Sequence, residues 1–199
     1  MARPLAVRGT LVLMAPIAAA VFAAAVAAAS PAATTFRDRT GDVEGGGGPD
    51  IVAVTVSSTA TAVTFRVRFA KAPPLQTSTR EQWIDMLLLG IDVPPLGPKP
   101  TRSGWRGVDY MLGAHGSQKT ITVVKATRSA KGAGFTRLGS VPLVTSGATL
   151  SFSILRSRLG SPASLDFTLA AGRETATPEQ GGGSDYAPQS GTFHFRLAR

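Results

Sequence analysis

AVTFRVRFA, residues 62–70, decides the fold. Val63, Phe65, Val67 and Phe69 fall on one side of an extended chain, and Thr64, Arg66 and Arg68 on the other. Strict alternation has the two-residue period of a β-strand and marks one dry and one wet face. The preceding stretch, IVAVTVSS (residues 51–58), alternates through Val52, Val54 and Val56. Only Thr59, Ala60 and Thr61 separate the two, so an antiparallel hairpin is expected.

The same reading extends in both directions. WIDMLLLGID (83–92) is a near-continuous apolar run bounded by polar and proline-rich segments, the pattern of a central strand buried on both faces. VDYMLGA (108–114), TITVVKA (120–126), ATLSFSIL (148–155), SLDFTLAAG (164–172) and TFHFRLA (192–198) read as further strands, with GFTRLG (134–139) a short one. The connections are rich in glycine and proline: residues 34–50 with four consecutive glycines, 93–107 with four prolines, and 173–191. A short helical turn fits residues 156–159. Beyond the N-terminal segment no twelve-residue stretch has a 3.6-residue period. Eight to nine short strands without helices predict an all-β fold, a two-sheet antiparallel sandwich of jelly-roll type over residues 51–199.

The chain has 199 residues, 43% of them hydrophobic and 17% charged, which is globular composition. It has no cysteine, so no disulfide staples the fold and no thiolate binds metal or attacks a substrate. The formal charge is +9. Without Arg3 and Arg8, nineteen basic residues face twelve acidic ones, a balance of +7. Such an excess favours anionic surroundings, although the basic residues are scattered and form no run of five.

Arg3 and Arg8 precede an uncharged stretch, residues 10–29, whose heart is LVLMAPIAAAVFAAAVAAA, followed by Ser30-Pro31-Ala32-Ala33. A positive start, an apolar middle and small residues at the end are the features of an export signal. Cleavage fits after Ala29 or after Ala32, leaving residues 30–50 as a glycine-rich N-terminal loop and placing the domain outside the cell. The alternative is an uncleaved membrane anchor over residues 11–29, long enough to span a bilayer but mostly alanine and interrupted by Pro16. Membrane association is expected only through that segment.

Several phrases occur in order: Asp38-x-x-Gly41-Asp42, Pro49-Asp50-Ile51, Gly90-Ile91-Asp92, Gly107-Val108-Asp109-Tyr110, Ser157-Arg158-Leu159-Gly160, and Asp185-Tyr186-Ala187-Pro188 before Ser190-Gly191. Together they resemble secreted bacterial β-sandwich domains related to family-nine carbohydrate-binding modules and DOMON-like domains. The resemblance implies a jelly-roll-like sandwich, export, and in some members bound calcium or carbohydrate. Two departures weaken the calcium implication: Asp92-Val93-Pro94 stands where a second acid is expected at the strand end, and Gln189 where an acid often follows the proline.

The residues themselves suggest two kinds of site. Asp38, Asp42, Glu44 and Asp50 share one glycine-rich loop, and Asp185 lies in a similar loop before the last strand. Hard cations such as calcium take six to eight oxygen ligands, often from such loops, and first and last strands of a sandwich are often neighbours. The spacing is not that of an EF-hand, and the competing reading is a solvated loop in which aspartates cap turns. For carbohydrate, Trp105 in its proline-rich loop, Tyr110 and Tyr186 are the candidate contacts, with Trp83 a weaker one; the competing reading places these aromatics in the core or at its rim.

Catalysis has less support. His115 and His194 are the only histidines, and neither a G-x-S-x-G elbow nor a phosphate loop is present. No enzyme activity is expected, although two carboxylates pairing in space to make a hydrolase would be invisible in sequence. Arg66 and Arg68 give one strand a basic face, but no aromatic interleaves with them to stack a base, and nucleic acid is not an expected partner. The expected function is that of a secreted non-catalytic module binding carbohydrate, an anionic cell-wall polymer or another cell-surface ligand; the alternative is a structural or interaction domain whose acid–glycine loops hold calcium.

Overall fold

The structure is a computed structural model, and it describes residues 32–93, 108–129, 132–176 and 182–198. Residues 1–31, which hold the expected export signal, and Trp105 lie outside the described residues. Among the described residues no helix is long and apolar enough to cross a membrane.

The fold is an all-β sandwich of two antiparallel sheets. In chain order the strands are β1 Ala32–Arg37, β2 Ile51–Ser58, β3 Ala62–Phe69, β4 Thr77–Ser78, β5 Trp83–Asp92, β6 Tyr110–His115, β7 Thr120–Ser129, β8 Gly132–Pro142, β9 Val144–Ser146, β10 Thr149–Leu155, β11 Ser164–Thr175, β12 Gly183–Ala187 and β13 Phe193–Arg196. One sheet runs β1-β2-β3-β10-β9. The other runs β12-β11-β5-β6-β7-β8, with β13 also on β11 and β4 on β5. The long β11 pairs β13 along its first half and β12 along its second.

The alternating residues meet between the sheets. Phe65 lies opposite Phe152 in register and stacks on it at 5.4 Å, and Phe167 of the other sheet meets Phe65 edge-on at 5.6 Å. Phe65 and Phe167 are fully buried, each side chain contributing roughly 1.5–3 kcal/mol by leaving water. β5 is central, between β11 and β6, but only its last four residues are buried on both faces.

The structure corrects the sequence reading in four places. Residues 34–37 are not loop but part of β1, because Phe36 packs on Phe167 and Phe193 while Thr35 and Arg37 face outward. The segment 134–139 belongs to the eleven-residue β8. The expected loop over 173–191 contains the end of β11 and all of β12. A bulge between Ile51 and Ala53 sets two residues against one, so that Ile51 joins the core with Val54 and Val56 in place of Val52. The turn at 156–159 is present as one 3-10 turn, and Gly160 closes it at φ 76°.

Candidate metal centre

Between β1 and β2 the chain leaves the first sheet and crosses to the second. The Asp38 amide donates to the Val52 carbonyl at 3.1 Å, extending the β1–β2 ladder by one rung. Glu44 and Ser184 then exchange both backbone hydrogen bonds at 2.8 Å, fastening the loop to β12. The approach depends on glycine. A Cβ on Gly183 would stand 2.8 Å from the backbone nitrogens of Gly47 and Gly48, and one on Gly48 would stand 2.7 Å from the Gly183 carbonyl oxygen.

This crossing gathers the four aspartates of the sequence reading. Asp38, Asp42 and Asp185 each place a carboxylate oxygen within 4.8 Å of the other two. Asp50 is tied in from the other end of the loop, where its Oδ2 accepts the Gly41 amide at 2.9 Å. Asp185, fully buried on β12, accepts the Ile51 amide through Oδ2 at 2.5 Å. Asp42 Oδ2 accepts from the Gln189 side-chain amide at 2.7 Å. Glu44, also an expected member, serves the crossing through its backbone.

In each aspartate one oxygen is bonded or exposed while another is buried without a partner: Asp38 Oδ2, Asp42 Oδ1, Asp50 Oδ1 and Asp185 Oδ1. Buried carboxylate oxygens left unpaired are costly. Among the described residues the Arg173–Asp85 ion pair and the His194–Asp166 hydrogen bond involve none of these four acids. The strain appears in the proton affinities. Burial, then the charges of Asp185, Asp42 and Asp50, push the Asp38 carboxyl up to about 7, against the pull of the Arg39 amide. Burial pushes Asp185 up to about 6, aided by Asp42 and Asp50 and opposed by the amides of Ile51 and Tyr186.

The donor set selects the cation. Three clustered carboxylates, with the charge of Asp50 nearby and no histidine, suit a hard ion, whereas zinc favours nitrogen and sulfur. Calcium–oxygen distances of about 2.3–2.6 Å place the ligands of one ion up to about 5 Å apart, which accommodates the 4.8 Å spacing. Magnesium retains several waters and demands near-ideal octahedral geometry, so an irregular cage of loop acids suits calcium better.

The expected aromatic contacts do not converge. Tyr110 is 3% exposed and belongs to the core, where burial and then Asp109 raise its hydroxyl pKa. Tyr186 is half-buried beside Asp185 on β12. Trp83 donates to Glu81 at 2.6 Å and has the Arg173 guanidinium against its ring at 3.5 Å. Arg173 in turn grips the buried Asp85 through Nε at 2.8 Å and Nη2 at 3.2 Å. Sequence reasoning missed this pair, and also a row in which Asp92, Asp166 and His194 sit side by side on β5, β11 and β13. The available sign was an acid inside an apolar strand, which needs a partner wherever it is buried.

Comparison with protein-family models, curated proteins and solved structures finds no match to this chain. The site is therefore read from its own chemistry.

Proposed function

We propose that this chain is a non-catalytic, exported β-sandwich module in which calcium, held by Asp38, Asp42, Asp50 and Asp185, locks the N-terminal loop to the second sheet. The observation that carries the reading is that Asp38 and Asp42 of the loop and Asp185 of β12 bring carboxylate oxygens within 4.8 Å of one another, while each of the four aspartates keeps one buried oxygen without a partner. A divalent cation supplies the missing partner and offsets the mutual repulsion. Export fits as well, because extracellular modules meet calcium at levels that saturate sites of modest affinity, with Kd on the order of 10⁻⁴–10⁻³ M.

The test is thermal melting in calcium and in chelator, with calorimetric titration for stoichiometry. Calcium at about 100 times its Kd stabilises by ~2.7 kcal/mol. For a domain of this size that raises Tm by roughly 5–10 °C. An unchanged Tm together with no heat of binding would overturn the reading.

A further inference from the structure

The outer face of the five-stranded sheet carries a different chemistry. The strands β1, β2, β3, β9 and β10 contain no aspartate or glutamate, and their three arginines all project outward. Arg37, Ala53 and Arg68 form one cross-strand row, with the small Ala53 between the two guanidinium stems. Thr35, Thr55, Arg66 and Ser151 form the next. Together the rows line a depression of about 430 Å³.

Arg66 and Arg68, two residues apart on one strand, sit ~7 Å from each other along it. Arg37 and Arg68, two strands apart, sit ~10 Å from each other across it. All three arginines are exposed, and none is engaged by a carboxylate among the described residues.

We infer that this face binds an acidic polysaccharide, a chain carrying carboxylates along a backbone of sugar hydroxyls. The guanidinium fork matches a carboxylate bidentately. The threonine and serine hydroxyls between the arginines both donate and accept, as sugar hydroxyls do. No aromatic residue projects from this face, so it offers no platform for stacked bases, which disfavours single-stranded nucleic acid. The surface lies on the first sheet's outer side and uses none of the four aspartates, so it does not depend on the cation reading.

The experiment measures binding of the full-length protein to polygalacturonate, with neutral dextran and duplex DNA as comparison ligands, at low and moderate salt in chelator. Binding to polygalacturonate that weakens with salt, without binding to dextran, is the expected result. The triple substitution Arg37→Gln, Arg66→Gln, Arg68→Gln is expected to weaken it ~10-fold or more, and Arg68→Gln alone by less. A second triple substitution removes the same charge elsewhere: Arg80→Gln, Lys119→Gln, Arg137→Gln. It is expected to leave affinity within about twofold, since screened charges away from the contact matter little. No binding, equal losses in the two triple variants, equal binding to dextran, or tighter binding to DNA would each overturn the inference. Because the assay contains chelator, its failure leaves the calcium reading untouched, and loss of calcium binding leaves this one untouched.

Discussion

Asp185 and Ile51 are 134 residues apart in sequence, yet the Asp185 carboxylate accepts the Ile51 amide at 2.5 Å. The contact joins β12 of one sheet to the first residue of β2 in the other, at the point where a bulge turns Ile51 inward. One carboxylate oxygen thus secures the sandwich while the other is buried without a partner, in a group that also lies close to Asp38 and Asp42.

Asp185→Asn separates those two roles. The amide oxygen can still accept from Ile51, but the charge offered to a cation is gone. In chelator at neutral pH the variant is expected to melt at or above the wild type, because a buried like-charge contact has been removed. Its calcium-induced rise in Tm is expected to disappear. Melting curves of both proteins in both conditions check this, and a full calcium response in the variant would remove Asp185 from the site.

The pH dependence follows from the same carboxyls. Asp38 at about 7 and Asp185 at about 6 both stand above the ordinary aspartate value of 3.8, so the folded protein binds more protons than the unfolded chain between these limits. Their stabilising contribution is then fully present below about pH 4 and is lost as pH rises through 6 to 7. In chelator, Tm is expected to fall between pH 5 and pH 7.5 from this contribution. With saturating calcium the ionised carboxylates are the binding form, and the fall is expected to flatten or reverse. Tm measured across that range with and without calcium decides it.

Gly183→Ala tests the loop crossing directly. The added methyl meets backbone nitrogens at 2.8 Å and the Glu44 carbonyl oxygen at 3.1 Å, and backbone cannot swing aside as a flexible side chain does. Overpacking of this kind costs about 1–3 kcal/mol. Urea denaturation should show that loss, and calcium titration a weaker site, because Asp42 and Asp50 ride on the displaced loop. Wild-type stability and affinity would mean that the loop is not held by this approach.

The sandwich was legible because its core strands alternate: Phe65 and Val67 announce an inward face before any neighbour is known. β1 was not, because TTFR offers only Phe36 as an apolar marker and its burial depends on Phe167 and Phe193 from distant strands. The four aspartates were legible as residue types in glycine-rich loops. Their convergence was not, since it depends on a bridge between Glu44 and Ser184 that no local pattern encodes. Tyr110 misled for a related reason: a tyrosine beside a loop looks available until its strand's parity turns it into the core.

Asp85 supplies the last prediction. It lies in the near-continuous apolar run of β5, is 2% exposed, and is held by the Arg173 fork and by the Gln76 amide at 3.0 Å. Arg173→Met keeps an unbranched chain near Trp83 but removes the charge. It leaves a buried carboxylate with one backbone donor, and breaking a buried pair from one side costs about 3–5 kcal/mol. The double substitution Asp85→Leu, Arg173→Met removes both charges and is expected to recover much of that loss. A double-mutant cycle by chemical denaturation measures the coupling. If the single variant is as stable as the wild type, the pair contributes nothing, and the acid in β5 must be kept for a reason other than holding β5 to β11.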